Sequence, residues 1–312
     1  MKNYYITIFE EKKLIQALTL YYSFRKYNNH SFFIFACLNE RSVKLISLFK
    51  FKKTLIISTK NLDQKKIHTI KNNRPQKEFY WTLKSIFCNY AINKFNDLDF
   101  LIYVDADTFF FSSTENYLDI NYMYDLILTP HDFSEKFKEK NANLDALGRF
   151  NAGCLFFKNS KNSKLILNWW MKKCIDDCSV NYQKGILGDQ KYFDDIYEKM
   201  KNVFICQNKG LNLGPWNVDS FDITNDKCIL YHFQGLKIIN SMIFDLYPGF
   251  QLINDQQYNF FYKAYLKCIK KNIASFIKVH QHYNLSNLYL PTNILREIKK
   301  IILKRSNIKF LF

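Results

Sequence analysis

Along the first half of the chain, short runs of β-forming apolar residues alternate with stretches whose apolar positions recur at helical spacing. That alternation is the pattern of a parallel sheet covered by helices. Residues 4–8, 31–37 and 54–58 read as strands and residues 12–27 and 41–49 as helices, giving β-α-β-α-β. Residues 59–76 are polar and predict no regular element. A helix over 78–94 then leads into an apolar strand at 100–104 that runs straight into acid, Leu101-Ile102-Tyr103-Val104-Asp105-Ala106-Asp107. Further strands are expected at 126–129 and 150–157 and helices at 160–174 and 189–200. Short β-like pieces follow at 203–206 and 228–232, and 131–148 reads as a polar loop. No run of 18 apolar residues occurs, so no membrane span is predicted.

The 312 residues, 48% of them hydrophobic, can fill a sizeable core in one or two domains. Glycine narrows the chemistry further. There are eight glycines and the first is Gly148, so no GxGxxG or GxxxxGK[ST] phosphate loop can precede it, and no such spacing follows. Any nucleotide phosphates must be held by something other than a glycine-rich backbone cradle. The eight cysteines form no CxxC and no Cys/His cluster at zinc spacing, so they read as reduced and mostly buried. The N-terminal apolar stretch is too short for a signal segment and meets Glu10 and Glu11, which predicts a cytoplasmic chain.

Charge divides the chain. The net charge of +17 suggests an anionic partner, although A/T-biased codons account equally well for the lysines of the first 250 residues. After residue 255, eleven lysines and arginines face one acid, Glu297. There Ile294, Leu295, Ile298, Ile301 and Ile302 share one helical face, while Arg296, Lys299, Lys300 and Lys304 share the other. The expected division is therefore a catalytic domain over 1–255 and a basic amphipathic helical tail over 256–312. Such a tail either lies on an anionic membrane surface or packs on the catalytic domain.

Four features could carry chemistry. Asp105 and Asp107 stand beyond the carboxyl end of a strand, where ligands of open parallel sheets bind, and two carboxylates there can grip Mn²⁺ or Mg²⁺. A turn or helix-capping role is the alternative, and Asp97-Leu98-Asp99 supplies a second DxD in the position of a solvated turn. His232, in Tyr231-His232-Phe233-Gln234-Gly235, reads either as a metal ligand or as a core histidine. Asp189, in Gly188-Asp189-Gln190, reads as an N-cap when taken alone. Asn151, in Phe150-Asn151-Ala152-Gly153, opens a strand at a point where a ligand could approach the backbone.

The order DAD, NAG, DQ, HFxG, at intervals of about 40 residues, resembles the retaining type A (GT-A) glycosyltransferases of family 8, which include glycogenin and bacterial lipooligosaccharide galactosyltransferases. The resemblance spans roughly residues 4 to 237 and takes in Thr7 at the end of the first strand and Lys84 before the DAD strand. It implies an α/β fold with a Rossmann-like, mainly parallel sheet, and a Mn²⁺ (or Mg²⁺) ion on Asp105, Asp107 and His232. Lys84, Asp105, Gly235 and Lys237 would contact a nucleotide-sugar donor, a UDP-hexose, and Thr7 would border the nucleoside. Asn151 and Asp189 would hold the donor sugar, with Gln190 near its anomeric carbon. The chain departs from the family pattern after Thr7, where a tyrosine is usual, and after Gly235, where Lys237-Ile238-Ile239 replaces Lys-Pro-Trp. Asn212-Leu213-Gly214-Pro215-Trp216-Asn217 reads as a lip of the acceptor site or as a packed turn.

The implied activity is metal-dependent transfer of a hexose, with retention, to a glycan or lipid-linked saccharide of a bacterial surface polysaccharide. The implied location is peripheral, on the cytoplasmic face of the inner membrane. Paired acids and basic charge also suit a metal-dependent nuclease or nucleotidyltransferase. The aromatics do not interleave with a basic groove, however, so no nucleic-acid partner is expected. A non-enzymatic peripheral membrane adaptor would explain the tail and leave the four ordered motifs as coincidence.

Overall fold

The opening pattern forms as expected. β1 (Asn3–Phe9), α1 (Leu14–Tyr27), β2 (Phe32–Cys37), α2 (Glu40–Ile46) and β3 (Thr54–Ser58) follow in order, with a 3-10 turn at Glu11–Lys13 leading into α1. The computed structural model describes residues 1–141, 144–181, 185–247, 252–289 and 307–310. Next come α3 (Gln64–Asn72), α4 (Gln76–Lys94), β4 (Phe100–Val104), β5 (Thr108–Phe110), α5 (Glu115–Ile120), β6 (Leu126–Pro130) and α6 (Glu135–Lys140). β7 (Phe150–Lys158), α7 (Lys161–Asp176), the hairpin of β8 (Val180–Asn181) with β9 (Ile186–Leu187), α8 (Tyr192–Lys199) and β10 (Val203–Ile205) carry the chain across the sheet. The last pieces are β11 (Leu230–His232), β12 (Lys237–Ile238), β13 (Ile243–Asp245), α9 (Asp255–Gln257), α10 (Lys263–Val279) and β14 (Ile308–Phe310).

Seven strands form the central sheet in the order β10-β6-β7-β4-β1-β2-β3. The pairs β1·β2, β1·β4, β2·β3 and β6·β10 are parallel, whereas β7 runs antiparallel to both neighbours, β4 and β6. The period of two along each strand splits the core into two layers. Tyr5, Phe9, Phe33, Phe35, Ile102 and Val104 pack with α1 and α10 on one face. Tyr4, Ile6, Ile34, Leu101 and Tyr103 pack with α4 and α7 on the other. All eight cysteines are free thiols and seven are buried.

Two helices form where only polar chain was expected. Asp63 caps α3 by accepting from the Lys66 amide at 3.2 Å, and only Ile67 and Ile70 of that helix are buried. Ser134 caps α6 through the Phe137 amide at 3.2 Å, and Phe137 turns into the core from it. A cap and one or two inward residues suffice for a surface helix and leave little periodic signal.

Residues 255–279 share the main core. α9 passes through a π-helical segment, Tyr258–Tyr262, into α10, which buries Tyr265, Leu266, Ile269, Ile273 and Phe276. Asn272 Nδ2 donates to Thr19 Oγ1 of α1 at 2.9 Å, and the Tyr265 ring stacks on Phe233 with centroids 3.8 Å apart. β14 pairs antiparallel with β13. The amphipathic helix expected around residues 294–304 lies outside the described residues. Among the described residues no helix is long and apolar enough to cross a membrane.

Candidate functional site

Asp105 and Asp107 follow β4 directly, and three backbone ties fix their turn. The Asp105 amide donates to Gly153 O of β7 at 2.9 Å, Thr108 N and Oγ1 both donate to Asp105 O at 3.1 and 2.8 Å, and the Phe233 amide donates to Asp107 O at 2.8 Å. β5 pairs antiparallel with β11 in a register that sets Thr108 opposite His232. Two short strands therefore carry the histidine, more than 120 residues away in sequence, to the acidic turn.

His232 Nε2 lies 3.1 Å from Asp107 Oδ1 and 3.8 Å from Asp105 Oδ2. One ligand atom each from Asp105, Asp107 and His232 fall within 4.8 Å of one another, the spread a single divalent ion can bridge. Two carboxylate oxygens and an imidazole nitrogen suit Mn²⁺. His232 Nδ1 is buried without a hydrogen-bond partner, and the Trp216 ring meets the imidazole edge-on at 5.4 Å. These residues fit the implied metal. The second DxD, Asp97-Leu98-Asp99, is a surface feature: Asp97 pairs with Lys2 and accepts from Tyr4 OH, and its side chain is more than half exposed.

Lys84 projects from α4 and is buried between two acids. Its Nζ is 2.8 Å from Asp189 Oδ2, 3.6 Å from Asp105 Oδ1 and 3.3 Å from Ala152 O. Burial disfavours the ammonium, but Asp105 and Asp189 outweigh it and hold the Lys84 pKa above its ordinary value. Burial pushes the Asp189 carboxyl up, with Asp105 adding to the rise and Lys84 opposing it. At Asp107, burial also favours the neutral acid, yet Lys13 and then His232 prevail and hold the carboxyl below the usual carboxylate range. Tyr103 OH donates to Asp105 Oδ1.

Two glycines make this packing possible. A Cβ on Gly153 would stand 2.7 Å from both His232 Nδ1 and Asn151 Oδ1. Gly188 has φ +61 and its Cβ would stand 2.7 Å from the Trp81 ring, so the turn that delivers Asp189 requires glycine twice over. Asn151 Oδ1 accepts from Gly153 N at 2.8 Å and from Asn212 Nδ2 at 3.1 Å, which commits its carbonyl end and leaves its NH₂ for the cavity.

The cavity over this cluster measures about 650 Å³ and is lined by Lys84, Asp105, Asp107, Asn151, Asp189, Gln190, His232 and Gly235. Eight of the ten residues expected at the site thus meet in one place. The other two stand apart from it. Thr7 is wholly buried in β1, on the face shared with Tyr5 and Phe9, and its neighbour Ile8 lines the cavity instead. Lys237 sits on β12, paired in register with Asp245, and is not among the lining residues. The segment 212–217 is a packed turn: Trp216 is buried, Asn217 Oδ1 accepts from Gly214 N at 2.9 Å, and Asn217 Nδ2 donates to His131 O at 3.1 Å. Sequence reasoning missed Lys13, whose Nζ lies 3.1 Å from Asp107 Oδ2, and Tyr103 and Trp81. Strand parity would have found Tyr103, two residues before Asp105 on the same face.

Beside this cavity lies a wider cleft of about 1020 Å³ between the 131–150 segment and Lys191, Asp194 and residues 205–209. The 3-10 turn Leu144–Leu147 contributes to both, and Gln190 Nε2 donates across the divide to Leu147 O at 2.9 Å.

No protein-family profile matches the chain. Two uncharacterised proteins of Bacillus subtilis strain 168 are similar to it. YfnF is 26% identical over 253 residues, covering 77% of this chain and 84% of YfnF, and YfnD is 23% identical over 279 residues, covering 86% and 89%. Among solved structures, the galactosyltransferase LgtC in complex with donor and acceptor sugar analogues superposes with a TM-score of 0.55 at 12% identity, over 86% of this chain and 95% of that one. The glycosyltransferase GlyE of Streptococcus pneumoniae TIGR4 superposes with a TM-score of 0.51 at 11% identity, over 89% of this chain and 64% of GlyE. The fold is that of the GT-A glycosyltransferases, with the mainly parallel sheet expected from the sequence.

Proposed function

We propose that the protein is a metal-dependent glycosyltransferase that moves a hexose from a UDP-sugar, with retention, to a glycan or lipid-linked saccharide of a bacterial surface polysaccharide. The observation that carries this reading is the convergence of Asp105, Asp107 and His232 at the carboxyl end of β4, with Lys84 held between Asp105 and Asp189. Asp105, Asp107 and His232 would hold Mn²⁺ or Mg²⁺, whose charge supports the negative charge that builds on a departing diphosphate. Lys84 is positioned to contact the donor from the opposite side of Asp105. Asp189 and the free NH₂ of Asn151 offer an acceptor and a donor of hydrogen bonds to sugar hydroxyls. The Gln190 NH₂ is spent on Leu147 O, so its amide oxygen is the free polar end. An amide is a poor nucleophile, which favours same-face attack by the acceptor over a covalent intermediate on Gln190. Gly235, at φ +80, turns the backbone beside the donor. Lys237 and Thr7 would act from just outside the lining. The wide cleft across the Leu144–Leu147 turn is the place for the acceptor.

Membrane association on the cytoplasmic face is part of the same reading. Lys263, Lys267, Lys271 and Lys278 form an exposed row on α10, opposite its buried face, and each lysine near anionic headgroups adds about 1 kcal/mol. The test of function is thermal stabilisation by a panel of nucleotide sugars with and without Mn²⁺. A UDP-sugar that stabilises only with metal supports the reading, and no metal-dependent nucleotide effect overturns it.

A further inference from the structure

The charged residues lining the cavity are three lysines, Lys13, Lys77 and Lys84, and three aspartates, Asp105, Asp107 and Asp189. A divalent cation and the diphosphate of a nucleotide sugar would each bring two charges of opposite sign, so the filled site also balances, but only after partners are exchanged. Lys84 has its shorter ion pair on Asp189, at 2.8 Å, and a longer one on Asp105, at 3.6 Å. Lys77 Nζ lies over the Trp81 ring, 4.6 Å from its centroid. Lys13 pairs with a metal ligand and, unlike Lys84, has no ion pair with Asp189 to fall back on: its Nζ is 3.1 Å from Asp107 Oδ2, while Asp107 Oδ1 faces His232.

The backbone beneath Lys13 is pinned. Lys13 N donates to Glu10 O at 2.9 Å, Glu10 accepts from Tyr80 OH at 2.6 Å, and Glu11 pairs with Arg41 at 3.1 Å. The Lys13 side chain, by contrast, is 31% exposed at the cavity wall and is an unbranched chain of single bonds ending in a compact charge. With a dication held on Asp107, the Lys13 ammonium would be repelled and no longer needed to neutralise that carboxylate, and its flexible side chain would be free to pair with a diphosphate bound beside it.

We propose that Lys13 is a second diphosphate-binding lysine, parked on Asp107 until a divalent cation displaces it. This assignment rests on the nucleotide-sugar reading of the cavity. It gives the site a built-in order: metal first, then diphosphate. It also supplies, from the loop after β1, a cation that Lys237 does not bring into the cavity.

The test is calorimetric titration of the full-length chain, with no turnover required. Mn²⁺ is titrated alone, and UDP is then titrated at saturating Mn²⁺. Lys13→Met, and Lys13→Gln as a second variant, are expected to bind Mn²⁺ more tightly, by about three- to tenfold, and UDP more weakly, by about tenfold. Lys77→Met is expected to leave Mn²⁺ affinity unchanged. Weakening of both ligands in the Lys13 variants, or no change in either, overturns the assignment. Equal tightening of Mn²⁺ by Lys77→Met does so too, because a general field rather than an exchange of contacts would then be acting. A wild-type chain that binds Mn²⁺ but no UDP defeats the nucleotide-sugar reading itself, an outcome distinct from wild-type binding that the Lys13 variants leave untouched.

Discussion

Gly153 leaves open the space that the His232 imidazole fills: a Cβ at residue 153 would come within 2.7 Å of Nδ1 and 2.9 Å of Cε1. A scarce glycine thus serves the proposed metal ligand, and the side chain it admits is the protein's own. Gly153→Ala should push the ring away from Asp107, costing about 1–3 kcal/mol of stability by overpacking. Mn²⁺ affinity should fall by about tenfold or more. Calorimetry beside a denaturation curve measures both, and unchanged Mn²⁺ affinity would remove His232 from the ligand set.

Lys84 is one cation shared by the buried carboxylate of Asp189 and the half-buried one of Asp105, and removing it leaves both without it. Lys84→Met should destabilise the protein by about 3–5 kcal/mol, the cost of leaving buried charge unpaired. Adding Asp189→Asn should recover part of that loss, since one of the stranded charges goes with it. Urea unfolding at neutral pH of the two single variants and the double gives the coupling directly.

His131 should set an acid limb of stability. It is buried, its Nδ1 lies 2.9 Å from Gly148 O, and burial lowers its pKa to about 4. An unfolded histidine titrates near pH 6.5, so between about 6.5 and 4 the unfolded chain binds more protons than the folded one. Stability from this group is therefore full above pH 6.5 and falls as pH drops towards 4, by about 3 kcal/mol in total. His131→Gln, whose amide can still donate to Gly148 O, should flatten that part of the pH–stability curve.

Asn212 acts through Asn151. It holds a left-handed backbone at φ 63, and its Nδ2 donates to Thr129 Oγ1 at 2.7 Å and to Asn151 Oδ1 at 3.1 Å. Asn212→Gly keeps the backbone conformation and deletes the amide, so it should cost about 1–3 kcal/mol. It should also slow donor turnover while leaving Mn²⁺ affinity intact. A loss of Mn²⁺ affinity equal to the loss of turnover would contradict this positioning role.

The parts of the fold that were legible in the sequence are those where burial is one-sided and periodic. β3 and β4 have the expected bounds, and the acids after β4 stand out because four apolar residues precede them. The direction of β7 was not legible, since a strand buried on both faces reads the same either way along the chain. Residues 63–73 hid α3 because capping and two isoleucines, three apart, carry it. Lys13 left no signal at all: it is one lysine among many, at the start of the expected helix 12–27, and only the folded path sets it against Asp107. At the end of β1, strand parity turns Ile8, and not Thr7, to the side on which α4 carries Lys84, a detail that the motif alone does not show.

The most direct test of the account is release of UDP from UDP-sugars by the wild-type chain, with and without Mn²⁺, beside Asp105→Asn and Asp107→Asn. Slow hydrolysis of at least one UDP-hexose without any acceptor is predicted, dependent on Mn²⁺ and reduced by about a hundredfold or more in both variants, in keeping with loss of a preorganised charge at the leaving group. Mn²⁺-dependent turnover that survives in both variants would contradict the assignment of the metal, and with it the proposed chemistry of the site.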